Sequence, residues 1–314
     1  MSREESDSKY SKIIAIGGSK GGIGKSILAV NLAVFLARRG KRAIVVDLDL
    51  GSANAHLLLG ETLLKLSVND YLHKKVSALT DVMVETRYGV GLIGGDSSEL
   101  GASNIQFARK VKLLRSIGEL AADCVILDLG GDASYNIIDF FLFADRHIVV
   151  TTCDPASYLN AYNFIKVALH RKMTRFHGAE SEAPSARDDV LEKMLEDYVT
   201  SSRNGTNISV EELLSRISTE RPSALALVQD LLRRFSPSIV VNRSLSEESA
   251  LGIANRIQEV CRRILSIDVA YLGMVGRHEE IERSARSLVP VVIAEKGGRV
   301  FEELSSLFNR IVPS

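Results

Sequence analysis

Residues 19–26, Ser19-Lys20-Gly21-Gly22-Ile23-Gly24-Lys25-Ser26, join a strand-like run to a helical pattern through a glycine-rich loop. Ile13-Ile14-Ala15-Ile16 precedes the loop, and Ile27-Leu28-Ala29-Val30-Asn31-Leu32 opens the helix behind it. At such a handover glycines let successive backbone N–H groups curl round an anion, and the helix N-terminus adds a partial positive charge. Lys25 can reach the outer phosphates of a bound nucleotide, and the Ser26 hydroxyl can ligate Mg²⁺. The strict pattern G-x-x-x-x-G-K-[ST] fails at one position, because Ser19 stands where its first glycine belongs. The variant K-G-G-x-G-K-[ST], with a second lysine at Lys20, fits throughout.

Strand-like runs at 13–17, 43–47, 90–93, 124–128, 147–152, 238–242, 268–272 and 290–293 alternate with helix-length segments. Most are continuous Val/Ile/Leu runs without in–out alternation, as strands covered on both faces by helices require. The fold class is therefore α/β, a doubly wound and mostly parallel sheet, with its ligand at the carboxyl ends of the strands. Two acidic clusters fall at such ends. Asp47-Leu48-Asp49 closes the second run, where an N-cap turn is the competing reading. Asp128 closes Cys124-Val125-Ile126-Leu127, although many buried strands end in an acid.

The loop with its extra lysine resembles that of the MinD/ParA group of P-loop ATPases, and the D-x-D-L-G-x-A-N stretch at 47–54 brings the chain nearest the MinD/FlhG branch. The resemblance covers some 250 residues. It implies ATP and Mg²⁺ as ligands, with nucleotide contacts from Gly21, Gly22, Ile23, Gly24, Lys25, Ser26 and Ile27. It assigns Lys20 to the phosphates of a partner subunit in an ATP-bridged homodimer, and Asp49 to the attacking water and the Mg²⁺ shell. Asp47 is left the role of ordering the loop. Asp128, with Ser26, is the implied Mg²⁺ acid, and Asp128-x-x-Gly131 resembles the second switch, from which Gly130-Gly131-Asp132 departs. Asp154-Pro155 also follows the MinD branch. Asn242, by itself more often a turn residue, becomes an adenine reader, and Pro290 a further nucleotide contact. At 276 and 278, where the family carries a proline and an acid, stand Gly276 and His278, so His278 reads as a surface helix residue.

The resemblance makes 13–314 one P-loop domain behind a flexible tail, 1–12, and interrupts it with a helical insertion at about 175–236. Residues 178–188 read as an exposed loop, and Val190, Leu191, Met194, Leu195 and Tyr198 follow at helical spacing. A polar turn covers 201–207, a capping box (Ser209-x-x-Glu212) opens a second helix, and 224–235 forms a third. These stripes must pack on the sheet layer or on a protein partner. Charge balance, 39 basic against 39 acidic residues, gives no global pull toward nucleic acid or anionic lipid. DNA partition needs a basic surface, for which only Arg233-Arg234, Arg262-Arg263 and Arg283/Arg286 qualify. The apolar stripe Val300, Phe301, Leu304, Leu307, Phe308 and Ile311 reads as a core helix ahead of a peripheral membrane anchor. The lone cysteines Cys124, Cys153 and Cys261 argue for a reduced, cytoplasmic protein and against the paired thiols of nitrogenase-reductase-like relatives. A non-hydrolysing nucleotide-dependent scaffold is the remaining alternative to the ATPase switch. The short amino-terminal tail lacks the segment by which FlhG proteins stimulate a GTPase partner, an expectation against that output.

Overall fold

The computed structural model describes residues 11–18, 20–95, 105–177, 188–203 and 209–313. Ser19, most of the expected amino-terminal tail, nearly all of the 178–188 loop and the end of the 201–207 turn lie outside the described residues. An eight-stranded sheet runs through the molecule. Its strands are β1 (Lys12–Gly17), β2 (Ala43–Asp47), β3 (Met83–Glu85), β4 (Val90–Ile93), β5 (Cys124–Asp128), β6 (Arg146–Thr151), β7 (Ser238–Ser244) and β8 (Ala270–Gly276). They lie in the order β3-β4-β2-β5-β1-β6-β7-β8, and only β3 is antiparallel. The order reverses around β1, so the switch point where such sheets bind ligands falls at the loop after it.

The helices are α1 (Lys25–Ala37), α2 (Ala55–Leu58), α3 (Val68–Leu72), α4 (Phe107–Gly118), α5 (Tyr135–Phe143), α6 (Pro155–His177), α7 (Asp189–Arg203), α8 (Val210–Glu220), α9 (Pro222–Arg233), α10 (Glu247–Val260), α11 (Glu279–Ser287), α12 (Val291–Ala294) and α13 (Arg299–Ile311). Successive strand residues point to opposite layers. Ile14, Ile16, Val45 and Ile126 join α1, α12 and α13 on one face. Ile13, Ala15, Val46 and Leu127 join α4, α5, α6 and α10 on the other. The stripe of α13 faces the core as expected: Phe308 is buried, its ring 5.3 Å from that of Phe35. Among the described residues no helix is long and apolar enough to cross a membrane.

The insertion forms three helices near the expected positions, with α7 extending through 201–203, where a turn was expected. The capping box forms: the Glu212 N–H donates to Ser209 Oγ at 3.2 Å, and the Ser209 N–H donates to Glu212 Oε2 at 2.9 Å. Leu191, Met194, Tyr198, Leu213, Ile217 and Phe235 are buried in the same apolar cluster as the α4–α6 face of the sheet. The stripes thus pack on one another and, through α7 and α9, on α6.

Two strand expectations need correction, and one strand was not expected. Residues 290–293 are the N-cap and body of the short helix α12, where the Val292 N–H donates to Asn31 Oδ1 of α1 at 3.1 Å. Pro290 has no N–H for a ladder, and a short apolar run does not distinguish a strand from a buried helical turn. The 268–272 strand begins two residues later and runs to Gly276. The edge strand β3 (Met83-Val84-Glu85) has too short and mixed a pattern to be read in advance.

Phe235 carries the insertion into the main core, edge-on to His147 of β6 at 5.7 Å. Phe235→Ala should cost about 3–5 kcal/mol, shifting one cooperative urea transition of the whole chain; a separate early transition would mean that the insertion unfolds alone. His147 keeps some exposure as a residue, yet its Nε2 is buried without a hydrogen-bond partner. Burial, aided by Lys172, lowers its pKa to about 4 from 6.5. The folded state therefore binds fewer protons than the unfolded chain between these values, and stability falls as pH drops from 6.5 toward 4. His147→Phe should remove on the order of 2–3 kcal/mol of that acid-side loss, read as a flatter dependence of Tm on pH in this window.

Candidate functional site

The loop after β1 turns back on itself through glycines. Gly24 has φ +95°, a left-handed conformation, and a Cβ there would lie 2.2 Å from Asn242 Nδ2, so both backbone and space demand glycine. Asn242, at the end of β7, donates from Nδ2 to the Ile23 carbonyl at 2.6 Å and accepts the Arg243 N–H on Oδ1 at 2.9 Å. In this structure its amide braces the phosphate loop from behind. The two lysines diverge. Lys25 is buried, its Nζ donating to the Lys20 carbonyl at 3.0 Å. The Lys20 side chain is 41% exposed and lies 3.9 Å from Asp154 Oδ2.

A cavity of about 740 Å³ opens over the loop, lined by Gly21, Gly24, Lys25, Ser26 and Ile27, by Asp49 from the β2 end and by Asp132 from the β5 end. Asp47 and Asp128 are register partners on β2 and β5, and both are fully buried. Asp47 accepts N–H bonds from Asp49 (3.1 Å), Asn54 (3.0 Å) and Ala55 (3.0 Å). It therefore orders the loop that carries Asp49, while burial pushes its own carboxyl up to about 6. Neither oxygen of Asp128 has a hydrogen-bond partner, although the Ser26 hydroxyl and Lys25 stand close enough to favour its charged form. Burial, then the neighbouring Asp47, raises its pKa well above the usual carboxylate range. Burial also raises Asp49, against the pull of Lys25, and lowers Lys25, against the pull of Asp128, Asp49 and Asp132.

An orphaned, buried carboxylate beside a loop hydroxyl is a fit for Mg²⁺. That ion commonly uses one or two carboxylates together with substrate phosphates, so the lack of a three-residue His/Cys/Asp/Glu cage among the described residues does not conflict with it. Gly131 closes the site from the β5 side: a Cβ there would come within 2.8 Å of the Gly21 nitrogen and 3.1 Å of the Lys20 carbonyl carbon. Gly131 thus lets the turn after β5 lie directly on the phosphate loop.

Of the expected contacts, Ile23 lines a second hollow with Lys20, Asp154, Cys153 and Arg243, and Asn242 a third beside Gly24, Ile27 and Arg243. Pro290 lines none of the three; it is buried as the N-cap of α12. The same turn brings Leu288 into the main cavity, with φ +54° and its carbonyl accepting from Arg87 Nη2 at 3.3 Å. No sequence signal marks a leucine for that conformation. Arg243 lines all three hollows, also with positive φ, +55°. His278 is the N-cap of α11 with its ring 3.1 Å from Glu303 Oε2, so it is not the surface helix residue expected.

The basic surface also needs correction. Arg233 and Arg234 share Asp230, Arg262 meets Asp268, Arg283 meets Glu295, and Arg286 meets Glu282. The expected clusters are largely paired, whereas α4, which the sequence reading passed over, exposes Arg109, Lys112 and Arg115. The three cysteines are free thiols, Cys124 and Cys261 buried, with no second thiol beside them for a shared cluster.

The CobQ/CobB/MinD/ParA nucleotide binding domain matches residues 14–291. Antiactivator FleN of Pseudomonas aeruginosa is 32% identical over 56% of this chain and 64% of its own length, slightly under two thirds. The flagellum site-determining protein YlxH of Helicobacter pylori is 28% identical over 77% of this chain and 82% of its own. Among solved structures, the septum site-determining protein MinD of Pyrococcus horikoshii, complexed with Mg-ADP, superposes with a TM-score of 0.64 at 16% identity, covering 96% of both chains. With a glycine cradle, an inward lysine and buried strand-end acids meeting at the switch point of a sheet of that fold, the chain belongs to the CobQ/CobB/MinD/ParA family of nucleotide-binding domains, as a P-loop ATPase of its MinD/FlhG branch.

Proposed function

We propose that the chain is an ATP-dependent dimerising switch that hydrolyses ATP and controls the position, number or assembly of a cellular structure through a protein partner. The observation that carries this reading is the division of labour between the loop's lysines. Lys25 is withdrawn into its own cradle, while Lys20 stands at the rim, partly exposed beside Asp154, where it is available to the phosphates of a second copy. Relatives named for flagellum and septum site determination support the cellular side of the proposal. The DNA-partition alternative draws no support from basic clusters that are largely ion-paired.

In this mechanism the N–H groups of Gly21 to Ser26 hold the β- and γ-phosphates, and Lys25 donates to them from a site where burial strengthens each contact. Ser26 and Asp128 would hold Mg²⁺, which supplies neutralisation of charge on the transferring phosphoryl group. Asp49, held out on the loop that Asp47 orders, orients water in line with the bond to be broken. Gly131, packed on the Lys20–Gly21 peptide, lets the second switch respond to an occupied cradle.

Lys20→Ala should abolish ATP-dependent dimerisation while ATP still binds; sedimentation that finds the same species with and without Mg·ATP in the unmodified protein would sink the switch. Asp49→Ala should lower turnover by about 10²-fold or more and leave a persistent ATP-bound dimer, read by phosphate release and by size-exclusion chromatography. Normal turnover in that variant would remove Asp49 from the reaction.

A further inference from the structure

The exposed arc of α4 carries cations without acids. Arg109, Lys112 and Arg115 are exposed and none has an ion-pair partner among the described residues; Lys112 lies over the Tyr71 ring at 4.7 Å. Along the edge of the same arc Phe107 is 46% exposed and Val111, one turn on, 36%. The patch continues onto α5. Asp139, fully buried, receives Lys110 from α4, Arg171 from α6 at 2.8 Å and Arg175 at 3.5 Å. Lys110 in turn lies 5.6 Å from the Phe107 ring, and Arg171 5.0 Å from the ring of Tyr135, which is 61% exposed. One carboxylate thus holds three cations, and two of those cations fix the aromatic rings of Phe107 and Tyr135 beside it. The result is a surface of aromatic and aliphatic side chains with an excess of positive charge, in a chain whose overall charge is zero.

We infer that this α4–α5 surface docks an acidic, amphipathic segment of a partner protein. Charge complementarity selects the sign of the occupant, and fixed Phe, Tyr and Arg side chains are the residue types that anchor protein contacts. A lipid surface fits less well: three exposed cations contribute about 1 kcal/mol each at most, and rings held from one side by Lys110 and Arg171 are poorly free to insert. Nucleic acid fits less well again, because so few cations would neutralise only about three phosphates. The surface borders the nucleotide cavity, which Ile105, two residues before α4, and Asn136 and Ile137 of α5 help to line. This inference deepens the switch reading by giving the partner a place and a chemistry, and it rests on that reading for the partner's purpose.

The test places the photo-crosslinker p-benzoylphenylalanine at Phe107 in the full chain expressed in its source cells, and maps the adducts by mass spectrometry. The expected result is an adduct with a net-acidic segment of another protein, reduced at least about tenfold by R109E/K112E/R115E and recovered when the acids of that segment are changed to lysine. Adducts with phospholipid, nucleic acid, a neutral or basic segment or a second copy of this chain would overturn the inference, as would no light-dependent adduct or an adduct indifferent to the charge reversal. Binding of a fluorescent ATP analogue to the triple variant, expected within about twofold of the unmodified protein, keeps failure of the docking surface distinct from failure of the nucleotide site.

Discussion

Two carboxylates side by side on adjacent strands, both wholly buried, set the terms for the rest of the site. Asp47 and Asp128 face each other in register across β2 and β5. Burying like charges together is costly unless each is compensated, and the two are treated differently. Asp47 is compensated by three backbone N–H groups, which makes it a structural acid that shapes the loop. Asp128 has no such partner and leans on Lys25 and Ser26 alone. A site with one satisfied and one orphaned acid is incomplete by itself, and a divalent cation held by Asp128 and Ser26 would complete it.

The same incompleteness explains why the loop needs bracing from both sides. Asn242 holds the Ile23 carbonyl from the β7 side, and Gly131 lies on the Lys20–Gly21 peptide from the β5 side. Neither contact tolerates an added side chain, since a Cβ at Gly24 would strike Asn242 and one at Gly131 would strike backbone. With the loop gripped at these two points, the exposed element at the rim is the Lys20 side chain, beside Asp154. Gly130-Gly131-Asp132, a departure from the family pattern, reads here as the condition for close approach of the second switch. Asn242 holds the Ile23 carbonyl and also lines the hollow beside Gly24 and Ile27, and the residue next to it, Arg243, lines all three hollows.

The local parts of this arrangement were legible in the sequence because their signals are local. A strand, a glycine turn, a basic residue and a helix occupy consecutive positions, and Asp49 and Asp128 fall at strand ends that apolar runs announce. The insertion helices were legible for the same reason, through the stripe from Leu191 to Tyr198 and the Ser209 cap. What failed depended on packing partners distant in the chain. Residues 290–293 have the composition of a strand, but Val292 is captured by Asn31 and Pro290 cannot join a ladder. Arg286 and Arg234 looked like free basic charge although Glu282 and Asp230, four residues earlier, pair with them, a pattern that helical spacing could have revealed. Arg109, Lys112 and Arg115 have no acid four residues earlier, yet their spacing is the same as that of Arg283 and Arg286, so that spacing alone does not separate free cations from paired ones.

The insertion and α4 exchange the roles that sequence patterning suggests for them. Three amphipathic helices of unusual length in a family loop invite a docking function, but their apolar faces are taken up by α6 and the sheet layer beneath it. Removing them would uncover His170 and Lys172 of α6, which meet the rings of Tyr198 and Phe235, so loss of a partner after such a deletion would report a damaged core as readily as a lost interface. On α4 the argument runs the other way. A short helix that packs through Lys110, Leu113, Leu114 and Ile117 needs no outward aromatic ring and no unpaired cations for its own stability. Exposed apolar and cationic side chains that the helix does not need for its own packing, set beside the wall of a cavity, are surface available to a partner.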